Sequence, residues 1–174
     1  MASIKMTSGG VFPAWTASLV GGGEACIGRA KTADWWQMVL VYRGLHCPVC
    51  RGYLKRVEEL KEAFAQARAE VIAVSADPRE KAEKMVADQG LTFPVAYDLS
   101  VERMREWGLY ISKPRSADET DRPFAEPGLF GINENGVVHL IDISNTPFNR
   151  ADLAETVDTV EWVRENDYPI RGTL

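Results

Sequence analysis

Two short apolar runs joined by a helix-patterned segment constrain this chain most. The first, "QMVLVYRG" (Gln37 to Gly44), is Val-rich and bounded by glycine; the second, "EVIAVSA" (Glu70 to Ala76), closes on Asp77-Pro78. Short continuous apolar runs of this kind are strands buried on both faces. Between them Val49, Tyr53, Leu54, Val57, Leu60, Phe64 and Ala67 recur at helical spacing. A strand, a helix and a second strand make a parallel crossover, which is right-handed. The chain is therefore expected to build an α/β sheet.

The alternation continues. "REKAEKMVADQG" reads as a helix that Gly90 caps. "LTFPVAYD" is extended, with Pro94 limiting its pairing, and Val101 to Trp107 is a short helix that Gly108 stops. "YISKPRSADETDRPFAEP" (Tyr110 to Pro127) is polar, carries three prolines and lacks periodicity, so a long surface loop of a functional kind is expected. "GLFGI" and "VVHLIDI" flank "NENG", a hairpin signal. The last helix is expected from about Arg150 to Asn166, capped by Asn149, with Leu153, Val157, Val160 and Val163 on one face. In the Gly-rich first 36 residues, "FPAWTASLV" suits a short strand or hairpin. The expected architecture is one domain over 1–174, with an N-terminal extension (1–36) and a surface loop (110–127). Its core is a mixed central sheet with helices on both faces. In such sheets the active region lies at the carboxyl ends of the strands.

Charge and composition exclude some partners. Lys and Arg total 20 against 25 Asp and Glu, for a net charge of -5. With no basic stripe, nucleic acid is not an expected partner. "MASIKMTSGG" lacks the apolar core of a secretory signal and no run reaches membrane-spanning length, so a cytoplasmic location and no membrane partner are expected. At 174 residues the chain can bury a substantial core.

Chemistry concentrates in "RGLHCPVCRG" (Arg43 to Gly52), where Cys47 and Cys50 stand at the junction of the first strand and first helix. A structural zinc site needs four ligands, and Cys26, His46 and His139 lack ligand spacing, so no metal or cofactor is expected. A purely structural disulfide would close a loop too small to constrain the unfolded chain. A reactive dithiol fits better. Pro48 suits the first helical position, which sets Cys47 at the N-cap and Cys50 in the first turn. The helix dipole and free N–H groups there stabilise a thiolate, and Arg43 and His46 are placed to add positive charge. A low-pKa thiol with a partner three residues on is what thiol–disulfide exchange requires.

"VLVYRGLHCPVC", "VIAVSADP", "LTFPVAYD" and "EPGLFGINENGVV", in this order, resemble the AhpC/TSA (alkyl hydroperoxide reductase C/thiol-specific antioxidant) peroxiredoxin-like branch of the thioredoxin superfamily. The resemblance runs from about Phe12 to Val163. It implies a thioredoxin-like fold with an N-terminal extension and an inserted helix–strand–helix. It also implies a cysteine-based oxidoreductase with antioxidant activity. The implied partners are a thiol/disulfide substrate or a hydroperoxide, and a protein or small-molecule thiol reductant; a homodimer is one option.

The departures from the family matter. Its Pro-x-x-x-Thr-x-x-Cys motif, aligned on Cys50, finds Arg43 at the proline and Cys47 at the threonine; aligned on Cys47 it finds Leu40 and Gly44. The family's Arg before "GLF" is Pro127 here, so peroxide reduction weaker than typical is expected. Pro127 instead resembles the cis-proline of thioredoxins, which lies beside their cysteines. The buried Asp that thioredoxins carry six residues before the first cysteine is Val41 here.

The helix-terminus argument makes Cys47 the more exposed, lower-pKa, attacking thiol and Cys50 its resolver, whereas the peroxiredoxin alignment makes Cys50 the attacking residue. Three readings follow: a thiol–disulfide oxidoreductase, a peroxiredoxin working through a sulfenic acid, and a redox-silent binding module. Among other residues, Cys26 is expected as a small buried hydrophobe and His139 as solvent-facing. His46 reads equally as a tuner of Cys47 or as an exposed lip residue. Arg43 is the stronger site candidate, and Arg150 is expected at a helix-start surface.

Overall fold

The structure, a computed structural model, describes residues 6–174. In chain order its elements are β1 (Trp15–Ser18), β2 (Glu24–Ile27), β3 (Trp36–Val41), α1 (Pro48–Gln66), β4 (Ala69–Val74), α2 (Arg79–Gln89), β5 (Val95–Ala96), α3 (Val101–Glu106), β6 (Ile111–Ser112), β7 (Phe124–Ala125), β8 (Gly128–Ile132), β9 (Val138–Ile143) and α4 (Leu153–Glu165).

Every residue of β3 is buried, because it is the middle strand of a five-stranded sheet ordered β5-β4-β3-β8-β9. It pairs in parallel with β4, Val41 opposite Val74, and antiparallel with β8, Val41 opposite Gly128. The sheet is therefore mixed, as expected. Its side chains alternate between two cores. Met38, Leu40 and Tyr42 join Leu54, Val57 and Phe64 of α1 and Val157 and Val160 of α4 in one. Val39, Val41 and Phe130 join Met104, Trp107, Phe12 and Ile27 in the other. Helices α1 and α4 thus cover one face, and α3 with the β1–β2 hairpin covers the other. Among the described residues no helix is long and apolar enough to cross a membrane.

Four local expectations need correction. The segment from Tyr110 to Pro127 is not an unpaired loop: its ends pair as β6 and β7, Ile111 opposite Ala125, which fastens it to the second core through the buried Phe124. Helix α4 starts at Leu153, because the Asp152 side chain accepts the Glu155 N–H and takes the cap expected of Asn149. Cys26 is exposed, since β1 and β2 form a separate two-stranded ribbon on which Ile27, not Cys26, faces the core. His139 is half-buried, its ring 4.6 Å from that of Trp36.

Candidate active site

The cysteines lie where β3 ends. Pro48 is the first residue of α1, and Cys47 caps it in an extended conformation, its sulfur accepting the Cys50 N–H at 3.2 Å. The turn before it is tied down twice. The Cys47 N–H donates to the Gly44 carbonyl at 3.1 Å, and the Leu45 N–H donates to Asp77 Oδ2 at 2.7 Å. Asp77 follows β4 and is 2% exposed; burial holds its carboxyl above the usual range against the Leu45 bond. Gly44 has φ +140°, and a Cβ on it would stand 2.8 Å from Asp77 Oδ1 and 3.0 Å from His46 Nδ1. Only glycine lets the chain turn this closely over a buried carboxylate.

The two thiols differ in acidity. A hydrogen bond from the Cys50 thiol, reinforced by the Cys50 N–H and by Arg43, outweighs burial and lowers Cys47 to about 6. Burial pushes Cys50 far up, with only Arg150 opposing it. Cys47 is thus the more acidic thiol of the two. The greater exposure expected of Cys47 does not hold: Cys47 and Cys50 are 1% and 0% exposed. Both are packed into the core with Leu40, Tyr42 and Leu54, while Phe124 of the β6–β7 segment packs on Arg43 and His46. The Arg43 guanidinium sits 4.8 Å from its ring centre and the His46 ring 4.7 Å.

Arg43 is drawn into the site. Its Nε pairs with Glu126 at 3.0 Å, its Nη2 lies 3.8 Å from Glu119, its N–H donates to Cys50 Sγ at 3.5 Å, and its charge helps to lower the Cys47 pKa. His46 supplies no charge: burial and then Arg43 lower its pKa below 6.5, so its ring is neutral at pH 7. Pro127 is trans, since no described peptide bond is cis; its carbonyl accepts from Ser144 in the sheet at 3.0 Å. The residue of that stretch whose side chain reaches the site is Glu126.

Arg150 is the main residue the sequence reading left outside. Its Nη2 donates to Cys50 Sγ at 2.9 Å, its Nε to Pro147 O at 2.7 Å, and its guanidinium covers Tyr53 at 4.7 Å. The late start of α4 frees it from the helix surface. Tyr42 also lies beneath the thiols, its buried hydroxyl pushed up in pKa by desolvation and close to Ser75, Asp77 and Cys50. No group of three or more His, Cys, Asp or Glu that could hold a metal occurs among the described residues.

A helix N-terminus carrying two nearby cysteines at the carboxyl end of a central strand, in a mixed sheet covered on both faces, is a thioredoxin-like arrangement. The chain matches the model of the AhpC/TSA family over residues 10–141 and belongs to that family. It is accordingly a thiol-dependent oxidoreductase of the peroxiredoxin kind. Among solved structures, a peroxiredoxin-like protein from Aquifex aeolicus superposes with TM-score 0.76 at 19% identity, covering 92% of this chain and 89% of that one. A cysteine mutant of peroxiredoxin 6 from Arenicola marina gives TM-score 0.76 at 19% identity over 94% and 76%. AhpC from Mycobacterium bovis gives 0.74 at 17% over 98% and 99%. These likenesses establish the thioredoxin-like fold. No curated protein matches the chain in sequence.

Proposed function

We propose that the protein reduces a small hydroperoxide with Cys47 as the attacking thiolate and Cys50 as the resolving thiol. The observation that carries this is the cap itself: the Cys47 sulfur accepts the Cys50 N–H at 3.2 Å at the start of α1. The helix terminus and Arg43 favour the anion there, and the thiolate is the nucleophile. Burial of both sulfurs favours a small oxidant over a folded disulfide partner.

The Cys47 thiolate attacks the terminal peroxide oxygen. The O–O bond breaks, sulfenic acid forms on Cys47, and the leaving alkoxide takes a proton from solvent. Cys50 then attacks the Cys47 sulfur, the S–O bond breaks, and hydroxide leaves with the Cys50 proton as water. A thiol reductant opens the Cys47–Cys50 disulfide and is itself oxidised to a disulfide. Arg43 stabilises the Cys47 anion, and Arg150 stabilises Cys50 as it loses its proton. These arginines take the part expected of the motif's missing residues.

The 2.9 Å contact of Arg150 with Cys50 Sγ favours a second reading, in which Cys50 attacks and Cys47 resolves. Peroxide consumption with dithiothreitol as reductant, followed by sulfenic-acid trapping, tests both. Under the first reading Cys50→Ser accumulates sulfenic acid on Cys47 and Cys47→Ser is inert. Sulfenic acid forming readily on Cys50 in Cys47→Ser assigns the attack to Cys50, and no peroxide consumption by the wild type removes both readings.

A further inference from the structure

Two acidic residues in the segment between β6 and β8 are placed unlike those of a surface loop. Glu126 is 4% exposed, and the Glu119 side chain is 7% exposed. Both face Arg43, Glu126 at 3.0 Å and Glu119 at 3.8 Å. Glu126 is held from behind: Ser112 Oγ donates to its Oε1 at 2.6 Å, and its own N–H donates to the Tyr110 carbonyl at 2.8 Å. Glu119 is shared with Arg115 at 3.0 Å. Phe124 completes the cradle, 4.8 Å from the guanidinium. A buried carboxylate is costly unless paired, and here the pairing serves one cation, on a residue whose own N–H donates to Cys50 Sγ at 3.5 Å and whose charge favours the Cys47 anion.

We propose that Glu126 is a positioning residue, which through Ser112 and Phe124 fixes the Arg43 guanidinium on the Cys47 sulfur, so that the β6–β7 segment is part of the catalytic apparatus. An arginine carries several rotatable bonds and ~2 kcal/mol of side-chain entropy. Arg43 stands one residue beyond the strand neighbour Tyr42 and can swing to solvent unless held. Fixing it keeps a full positive charge against the thiolate in the reduced protein. The inference rests on the reading of Cys47 as the attacking thiol, but its test does not require turnover.

Glu126 acts on Cys47 in two opposed ways, which makes the proposal decidable. As an anion near the site it raises the Cys47 pKa directly. As the anchor of Arg43 it lowers that pKa. The other groups around the thiols are Cys50 on α1, Arg150 facing Cys50, neutral His46, Glu119 with Arg115, Lys81 beyond His46, and Tyr42 and Asp77 beneath. Of these, Glu119 and His46 also face Arg43, so the variant that keeps Arg43 in place is the control for them.

The experiment measures the pH midpoint of iodoacetamide alkylation at Cys47, located by peptide mass, in the reduced full-length protein. Glu126→Ala releases Arg43, and the midpoint is expected to rise by about one pH unit, a tenfold loss of thiolate at low pH. Glu126→Gln keeps an acceptor oxygen for Arg43 while removing the charge, and its midpoint is expected to stay or fall. Ser112→Ala, which removes only the rear support, is expected to give a smaller rise and serves if Glu126→Ala does not fold. A fall in Glu126→Ala, or no change in both Glu126→Ala and Ser112→Ala, overturns the proposal. Alkylation that responds as expected while Cys47→Ser still turns over peroxide leaves the positioning role standing and rejects the assignment of the attacking thiol.

Discussion

Replacing Gly44 by alanine joins backbone strain to the chemistry of the thiol. At φ +140° a residue with a Cβ sits in a region that costs about 1–3 kcal/mol. The new methyl would meet Asp77 Oδ1 at 2.8 Å and His46 Nδ1 at 3.0 Å, so a carboxylate only 2% exposed must move. Moving it weakens the 2.7 Å bond from Leu45, a charge-assisted hydrogen bond worth about 1.5–3 kcal/mol. One backbone shift relieves part of both costs, so a loss of about 2–4 kcal/mol is expected. A domain of ordinary stability, ~5–15 kcal/mol, remains folded. Urea unfolding reads the loss as a lowered midpoint at unchanged slope. The Gly44 carbonyl also accepts the Cys47 N–H at 3.1 Å, so the cap should shift and alkylation of Cys47 at pH 7 should slow several-fold. A loss below about 1 kcal/mol with unchanged alkylation refutes this account of the turn.

The same substitution at Gly52, in α1 with nothing within 4 Å of the added methyl, should instead stabilise by up to about 1 kcal/mol, again by urea unfolding. Arg150→Met removes the donor to Cys50 and the cover of Tyr53, so conversion of Cys47 sulfenic acid to disulfide should slow about tenfold, followed by quenched-flow mass spectrometry. Asp77 has a raised native pKa, so its stabilising effect is present below its ordinary value of 3.8 and is lost as pH rises through the native pKa. The unfolding free energy of Asp77→Asn relative to wild type should therefore grow more favourable as pH is raised from about 4 to about 7. Cys26 is the exposed cysteine of the three. One equivalent of a bulky maleimide should label it first, leaving peroxide consumption unchanged.

The position of the cysteine pair was legible in the sequence because it follows from local rules. A Val-rich run, a Cys-Pro step and a helical repeat are sequence-adjacent, so β3, the Cys47 cap and Pro48 at the first helical position need no tertiary information. The crossover to β4 and the hairpin around "NENG" follow from short-range patterning as well. What the chain's linear order conceals is what surrounds the pair. Arg150 lies 100 positions from Cys50 and reads as an ordinary surface residue beside a helix start, until Asp152 takes the cap and leaves it free to turn inward. Glu126 sits in a polar, proline-bearing stretch with no periodicity; only the pairing of β6 with β7 and the packing of Phe124 carry it to Arg43. Packing into the core hides both thiols from solvent, and burial with Arg43 lowers the His46 pKa, where a helix-terminus argument alone expects an exposed Cys47 and an added charge. Sequence determines where a nucleophile can form, since capping and dipole act within one turn. Tertiary structure decides which charges reach those thiols and how open they are to solvent, because burial and ion pairing are set by segments that meet only in the folded chain.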